Sequence, residues 1–468
     1  MSKISAMMDT GKRSLMNSQT ALQTVGHNIA NKSTEGFSRQ RVELMSNQPI
    51  GEGNLQIGMG ARAGVVTRVN NPWLEKQIQR EGMSMGYQDS RTDALSRVEQ
   101  IYNEQNNKGL NQYVTDFFNS FRELSNNPES LASRTMVRES AQAMSKDFGR
   151  VVSQLKAVQE DLDGQVKTSV DEVNQIAKEI ASLNEKIQMI EVQKTPANDE
   201  RDRRDLLIKK LGEKIDISWA EGRDGMVTIT AGRTGILVSG IGSSELKAAQ
   251  TGERDRMEVF FVGTGAPANI TDQITGGRIG GALEVRDRVV EDLLNHVDQM
   301  AYSLAKEVNA AHIEGYDKNG RPGVLFFEMS ETTKGAAANM ALNKTIFNDV
   351  SRISAGAQPG ASGDNTVANV ISSLQYRQVM EDGTATLDDY YNTQVGQIGA
   401  ITQRAIKSQE SQKNVLGQLQ NIRESISGVS LDEETTKMIE FQKTYDASAR
   451  LIKTADEMFD TVLNLKRM

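Results

Sequence analysis

Apolar residues recur at heptad spacing at both ends of the chain. Near the start, Ile4, Met8, Gly11, Leu15, Ser18, Leu22, Val25 and Ile29 step alternately by four and three, and six of the eight are apolar. That period predicts an amphipathic helix ending near Asn31, where Gly26 and the Asn-Ile-Ala-Asn run weaken it. Near the other end, Met438, Phe441, Tyr445, Ser448, Ile452, Ala455, Phe459 and Val462 step in the same way, with Leu451, Met458 and Leu465 as a flanking stripe. Asp432, Glu433 and Glu434 in the first turn suit the helix dipole. Ser448 occupies a position where an apolar residue would pack better. Neither helix has a globular neighbour in sequence, so the two are expected to pair with each other. So thin a pair would also gain by burying its outer face against further copies of the chain.

Between the ends the texture changes several times. Val42 to Val69 reads as short apolar pieces between glycines, which is hairpin or loop material. "NPWLEKQIQRE" opens a new helix with Pro72 in its first turn. Helical pattern continues through "LNQYVTDFFNSFRELSNNPES" to a turn at Asn126–Ser130. From Phe148 to Ile190 a single register, slipping only at Gln159 and Ser169, predicts a helix of more than forty residues, roughly 60 Å long, ended by Pro196. Residues 211–281 alternate as strands with glycine turns ("MVTIT", "MEVFFV", "RDG"). This segment is expected to hold its own small core. Helix returns at "ALEVRDRVVEDLLNHVDQMAYSLAKEVNAAH", residues 328–365 are mixed, and the chain is mostly helical from Asn369.

Composition narrows the chemistry. The 468 residues suit two or three domains, and 37% hydrophobic with 5% aromatic content suits elongated, solvent-rich ones. A formal charge of −8 disfavours nucleic acid and anionic lipid as partners. The chain has no cysteine, which removes disulfides, thiolate metal sites and cysteine nucleophiles. The start lacks the apolar run of a secretory signal peptide, and no window approaches a membrane span, so membrane insertion is not expected. No phosphate loop is present. "GGRIGG" at 276–281 reads as a domain-edge turn, and "DKNG" at 317–320 as a tight turn whose glycine comes too early for a calcium loop. "DERDRRDLLIKK" at 199–210 reads as a solvated helix face, and lone His296 as a packed or surface histidine. No catalytic constellation assembles, so no enzymatic activity, metal or cofactor is expected.

Specific stretches carry a resemblance. "ALQTVGHNIANKSTEGFSRQ" is similar to the N-terminal motif of bacterial flagellar axial proteins at Ala21, Leu22, Asn28, Ile29, Ala30, Asn31, Thr34, Gly36, Phe37 and Arg39. "FRELSNNPESLASRTMVRESAQ", "RRDLLIKKLGEKIDIS", "GDNTVANVISSLQ" and "LQNIRESISGVSLDEETTKMIEFQKTYDASARLIKTADEMFDTVLNL" resemble the hook-associated protein 1 family, the first of the hook–filament junction proteins. The resemblance implies a structural adaptor between hook and filament, exported unfolded through the flagellar type III channel to an extracellular position without a cleaved signal. Implied partners are copies of itself, hook protein, the second junction protein, the filament cap during growth, and a cytoplasmic export chaperone on the C-terminal helix. The expected fold is mainly α with a smaller β part. Residues 1–45 with 432–468 would form a terminal coiled-coil core, 46–212 with 280–431 a long-helix wall domain, and 213–279 an inserted β-rich outer domain. A hook or distal-rod protein is the alternative and should carry a β-dominated body; a secreted adhesin would need a signal or anchor.

Overall fold

The structure is a computed structural model and describes residues 2–52, 55–102, 108–232, 235–251, 256–263, 265–329 and 331–465. Helix α1 spans Ser2–Ala30. The chain then forms an antiparallel hairpin of β1 (Gln40–Ser46) and β4 (Ala61–Arg68), with β2 (Ile50–Glu52) and β3 (Leu55–Ile57) pairing at its tip. Helix α2 (Pro72–Ile101) begins where the Asn71 side chain accepts from the Trp73 and Leu74 amides, with Pro72 in the first turn. Helices α3 (Leu110–Asn126) and α4 (Leu131–Glu191) follow.

Helix α4 has 61 residues, or about 90 Å at 1.5 Å per residue. It is longer than expected because it starts directly after the 126–130 turn, where the Ser130 hydroxyl caps the Ser133 amide at 3.2 Å. Its first turns bury Val137, Ala141 and Met144 ahead of the expected line through Phe148, Leu155, Leu162, Val173 and Ile187. The slip at Gln159 has a specific partner. Its Nε2 donates to the Arg286 carbonyl at 3.2 Å, inside a π-helical segment (Val285–Val290) that joins α6 (Gly277–Glu284) to α7 (Glu291–Ile313).

After α5 (Asn198–Lys214) come two antiparallel sheets. One orders β5 (Ile217–Glu221), β6 (Val227–Ala231), β7 (Gly235–Ser239) and β8 (Gly242–Ser243); the other orders β11 (Ala268–Asn269), β10 (Met257–Val262) and β9 (Glu245–Gln250). Beyond α7 lies a loop-rich tip holding β12 (Phe327–Glu328), α8 (Ala336–Asn339), β13 (Ala341–Leu342), α9 (Lys344–Asn348) and α10 (Thr366–Ser373). The long helices α11 (Leu387–Ser427) and α12 (Leu431–Leu465) complete the chain.

The β segment does not hold a core of its own. Val227, Ile229, Val238, Leu246 and Val259 are buried in one continuous apolar cluster with Val173, Ala177 and Ile180 of α4. Removing the strands would uncover that face of α4.

Helix-borne asparagines fasten backbone elsewhere in the chain. A carboxamide offers N–H donors beside a carbonyl acceptor, as backbone does, and so can complete a strand edge. Asn174 donates to the Leu246 carbonyl at 2.7 Å and accepts from its amide at 2.8 Å. Asn17 bridges the Ala61 carbonyl and Ala63 amide at 2.8 and 2.7 Å. Asn309 holds Phe326 and Phe327 in the same way. Asn184 donates to the Val227 and Gly240 carbonyls at 2.9 and 2.8 Å and accepts from the Val227 amide at 3.1 Å. Asn184→Ala strands buried backbone groups, so it is expected to lower unfolding free energy by about 3 kcal/mol in chemical denaturation.

Candidate assembly interface and joint

Helices α1 and α12 pair antiparallel. Ser448 Oγ donates to Ser14 Oγ at 2.7 Å, and Asn28 Nδ2 donates to Glu434 Oε2 at 2.8 Å. A Cβ added at Gly11 would lie 2.8 Å from Ile452 Cγ1. Partner residue numbers therefore add to about 462 along the whole contact.

On α1 one row of the heptad line read from sequence (Gly11, Ser18, Val25) is buried, while the other shifts by one residue, from Leu15, Leu22 and Ile29 toward Ser14, Ala21 and Asn28; on α12 Ser448 and Ala455 of the line are buried. Gly11, Ser18, Ala21, Val25 and Asn28 are buried on α1, and Glu434, Ser448 and Ala455 on α12. Small residues face one another, so the backbones approach closely. The larger Ile4, Met8, Leu15, Leu22, Ile29, Met438, Phe441, Ile452 and Phe459 flank this line and stay half-buried. Two expected seam residues fall outside the pair. Tyr445 is 36% exposed, and Val462 is 41% exposed because the register runs past the start of α1. Leu465 closes α12, but its side chain lies outside the described residues. Ser448 is no packing defect; a leucine there would push the helices apart. Ser14 and Ala21 complete the contact row that the apolar stripe passed over. Gly11, Ser14, Ser18, Ala21, Val25 and Asn28 step by three and four just as the apolar stripe does.

Where the pair meets the body, polar groups converge. Asn28 is 1% exposed and Glu434 0% exposed. The Asn28 amide also donates to the Gln40 carbonyl and accepts from the Gln40 amide, both at 2.9 Å, so one side chain ties α1, β1 and α12 together. Asn31 and Thr34 unwind the helix end: Asn31 Nδ2 donates to the His27 carbonyl at 3.1 Å, and Thr34 Oγ1 to Asn31 Oδ1 at 3.1 Å. Gly36 sits at φ +81°, and a Cβ there would crowd Leu206 at 3.1 Å. The Phe37 ring stands edge-on to His27 at 5.5 Å. Arg423 of α11 donates to the Gly36 and Phe37 carbonyls at 3.0 Å, and the Arg39 amide donates to the Ser427 carbonyl at 2.8 Å. The two chain crossings between the terminal pair and the body are thus bonded to each other.

The charge run 199–210 is not a solvated face. Asp202 and Arg204 are buried. Asp202 accepts from the Ser38 amide at 2.7 Å and from Arg68 at 2.8 Å, while Asp205 takes Arg68 at 2.7 Å. Gln40 Nε2 donates to Asp199 at 2.7 Å. Arg204 donates to the Gly225 carbonyl at 2.6 Å and to Asn184 Oδ1 at 3.2 Å. Burial pushes the Asp202 carboxyl above its ordinary range, opposed by Arg68 and the Ser38 amide. Burial likewise works against the Arg68 charge, but Asp205 and Asp202 outweigh it and raise its pKa. Alternating acids and bases read as a solvated face, and periodicity alone does not show what faces the run.

The remaining candidate motifs are structural. The Asp317 carboxylate accepts from the Asn319 and Arg321 amides and from the Arg321 and Arg352 guanidinium groups, so cations of the chain itself occupy the loop. "GGRIGG" starts α6 instead of turning at a domain edge. A Cβ at Gly281 would lie 2.4 Å from the Tyr87 carbonyl, so glycine permits close helix packing. His296 is half-buried beside Tyr390. Among the described residues no His, Cys, Asp and Glu group could hold a metal, and no helix is long and apolar enough to cross a membrane.

Comparisons with known proteins agree with this architecture. The family model for the flagellar hook-associated protein FlgK helical domain matches residues 95–327, and that for the flagellar basal body rod FlgEFG protein C-terminal matches residues 423–465. Flagellar hook-associated protein 1 of Bacillus subtilis (strain 168) is 30% identical over 493 residues, covering 98% of this chain and 97% of that protein. Its counterpart in Escherichia coli (strain K12) is 24% identical over 549 residues, covering 99% and 100%. The structure of the flagellar hook junction protein FlgK from Burkholderia pseudomallei has a similar fold, with a TM-score of 0.69 and 15% identity over 75% of this chain and 100% of that one.

Proposed function

The chain belongs to the flagellar hook-associated protein 1 family, and on that premise we propose how its geometry joins hook to filament. It is a structural axial protein of the hook–filament junction. The antiparallel α1–α12 pair forms the inner layer of the junction, and its half-buried flanking residues meet copies of the chain, hook protein and the second junction protein. The asparagine-fastened body, residues 46–212 with 280–431, forms the wall, and residues 213–279 face outward. The filament cap during growth and a cytoplasmic chaperone gripping α12 are further partners, and export runs through the type III channel without a cleaved signal. The role is mechanical, with no catalysis. The observation that carries this reading is the buried Asn28–Glu434 contact, which closes both chain ends onto the body at one point.

The alternative hook or distal-rod reading is favoured only by the rod-type match at residues 423–465. It leaves the helical-domain match at residues 95–327 without a role.

Phe459→Asp tests the proposal. Phe459 is half-buried near the start of α1, so a carboxylate there penalises the terminal contact by several kcal/mol while the body stays folded. Cells carrying it should export the protein, keep their hooks and shed flagellin into the medium. Immuno-electron microscopy should place the wild-type chain at the hook–filament boundary. Labelling along the rod, or normal swimming of the variant, would contradict the reading.

A further inference from the structure

We propose that His312 is a proton-operated latch: neutral, it fastens two loops of the tip to the end of α7, and protonation releases them. His312 is fully buried at 0% exposure. Its Nδ1 lies 2.6 Å from the Val324 carbonyl, and its Nε2 lies 2.8 Å from the Ser354 amide. A carbonyl can only accept and an amide can only donate. The neutral ring therefore carries its proton on Nδ1 and offers the Nε2 lone pair to Ser354. A second proton on Nε2 would face the Ser354 N–H and abolish that bond.

The surroundings sharpen this choice. Arg134 from α4 and Arg352 from the turn before Ile353 oppose a third positive charge; Asp317 is bonded to Arg352, and the Phe326 ring stands edge-on at 5.2 Å. Burial, with these two arginines and against the Val324 carbonyl, pulls the imidazole pKa down to about 4. Space is equally restricted. A Cβ at Gly323 would meet the His312 carbonyl at 2.1 Å, and one at Gly315 would meet Ser354 at 2.9 Å, so the layer has no slack for a reoriented ring.

Release would spread along the backbone bonds that radiate from this point. The Ala355 amide donates to Tyr316, and the Val367 and Ala368 amides donate to the Ala355 carbonyl, so the loop, the turn and α10 hang together. The latch sits at the opposite end of α4 from the joint and is independent of the junction reading.

The sign follows from linkage. An exposed histidine in the opened tip titrates near its ordinary 6.5, whereas the closed one titrates near 4. The opened form binds more protons between these values, so closure is complete above that window and is lost as pH falls through it. The opening constant should rise roughly 100-fold from neutral pH to pH 4, close to tenfold per unit inside the window, and level off near 300-fold below it.

Hydrogen exchange of the full chain, corrected for intrinsic rates, tests this. Wild type should gain exchange in residues 315–325 and 353–368 on acidification, ahead of the rest of the body. His312→Gln keeps a donor and an acceptor without a proton switch, so its tip should not respond in that window. A persistent response in His312→Gln, or a gain spread evenly over the body, would overturn the proposal. Should the variant fail to fold, histidine NMR of wild type decides, because the chain has three histidines. One imidazole protonating only near pH 4, together with tip opening, supports the latch; three ordinary titrations refute it.

Discussion

Asn28→Ala is expected to uncouple both chain ends from the body and to leave cells with hooks that cannot keep filaments. The substitution removes the donor to the Gln40 carbonyl, the donor to Glu434 Oε2 and the acceptor for the Gln40 amide. Glu434 is 0% exposed and would keep only its 2.8 Å contact with Lys437. Stranding a buried carboxylate and two backbone groups costs about 3–5 kcal/mol. That is enough to favour undocked ends, given that isolated helices are marginal in water. Limited proteolysis should cut the α1 and α12 ends of the variant faster than wild type, while circular dichroism of the body is unchanged. Asn28→Asp should be worse near neutral pH, because it sets a second carboxylate against Glu434. Combining it with Glu434→Gln should restore part of the loss by reversing donor and acceptor.

Gly11→Leu is expected to open the terminal pair from its middle. Even a first methyl at Gly11 would overlap Ile452 at 2.8 Å, and a whole isobutyl group cannot fit without separating the helices and breaking the Ser14–Ser448 bond. Overpacking of this kind costs about 1–3 kcal/mol, and more where backbones must move. Ile452→Ala should relieve it. In a double-mutant cycle on filament retention, the pair should recover what Gly11→Leu alone loses. Additive losses would mean that Gly11 and Ile452 do not face each other in the assembled junction.

These two sites show what the sequence made legible. The heptad stripes announced both terminal helices and their pairing, because a 3.5-residue period is a property of one strand of sequence. On α1 one row of the expected line held (Gly11, Ser18, Val25) and the other lay one residue off, because Gly11, Ser18, Ala21 and Ser448 permit a close approach that larger side chains would forbid. Hydrophobicity ranks Ser14 and Ala21 below their neighbours, so Leu15 and Leu22 drew that row toward themselves. The Asn-Ile-Ala-Asn motif was visible, but the role of Asn28 depends on Gln40 and Glu434, the latter 406 residues away in sequence. Asp202 was missed for the same reason: its partners Ser38 and Arg68 come from a different part of the chain. The β segment read correctly as strands. Its lack of an independent core followed from Asn174, Asn184 and the apolar face of α4, which alternation within the strands cannot reveal.

The central claim is that α1 and α12 of one chain pair antiparallel inside the junction. The absence of cysteine makes it directly measurable. Ser14 and Ser448 hydroxyls lie 2.7 Å apart, so Ser14→Cys with Ser448→Cys places two thiols within disulfide reach. Oxidised flagella isolated from cells carrying both substitutions should yield the chain at monomer mass, with a disulfide between peptides from its own two ends. Oxidation that produces only chain-to-chain ladders, or no crosslink in fully assembled flagella, would contradict pairing within one chain.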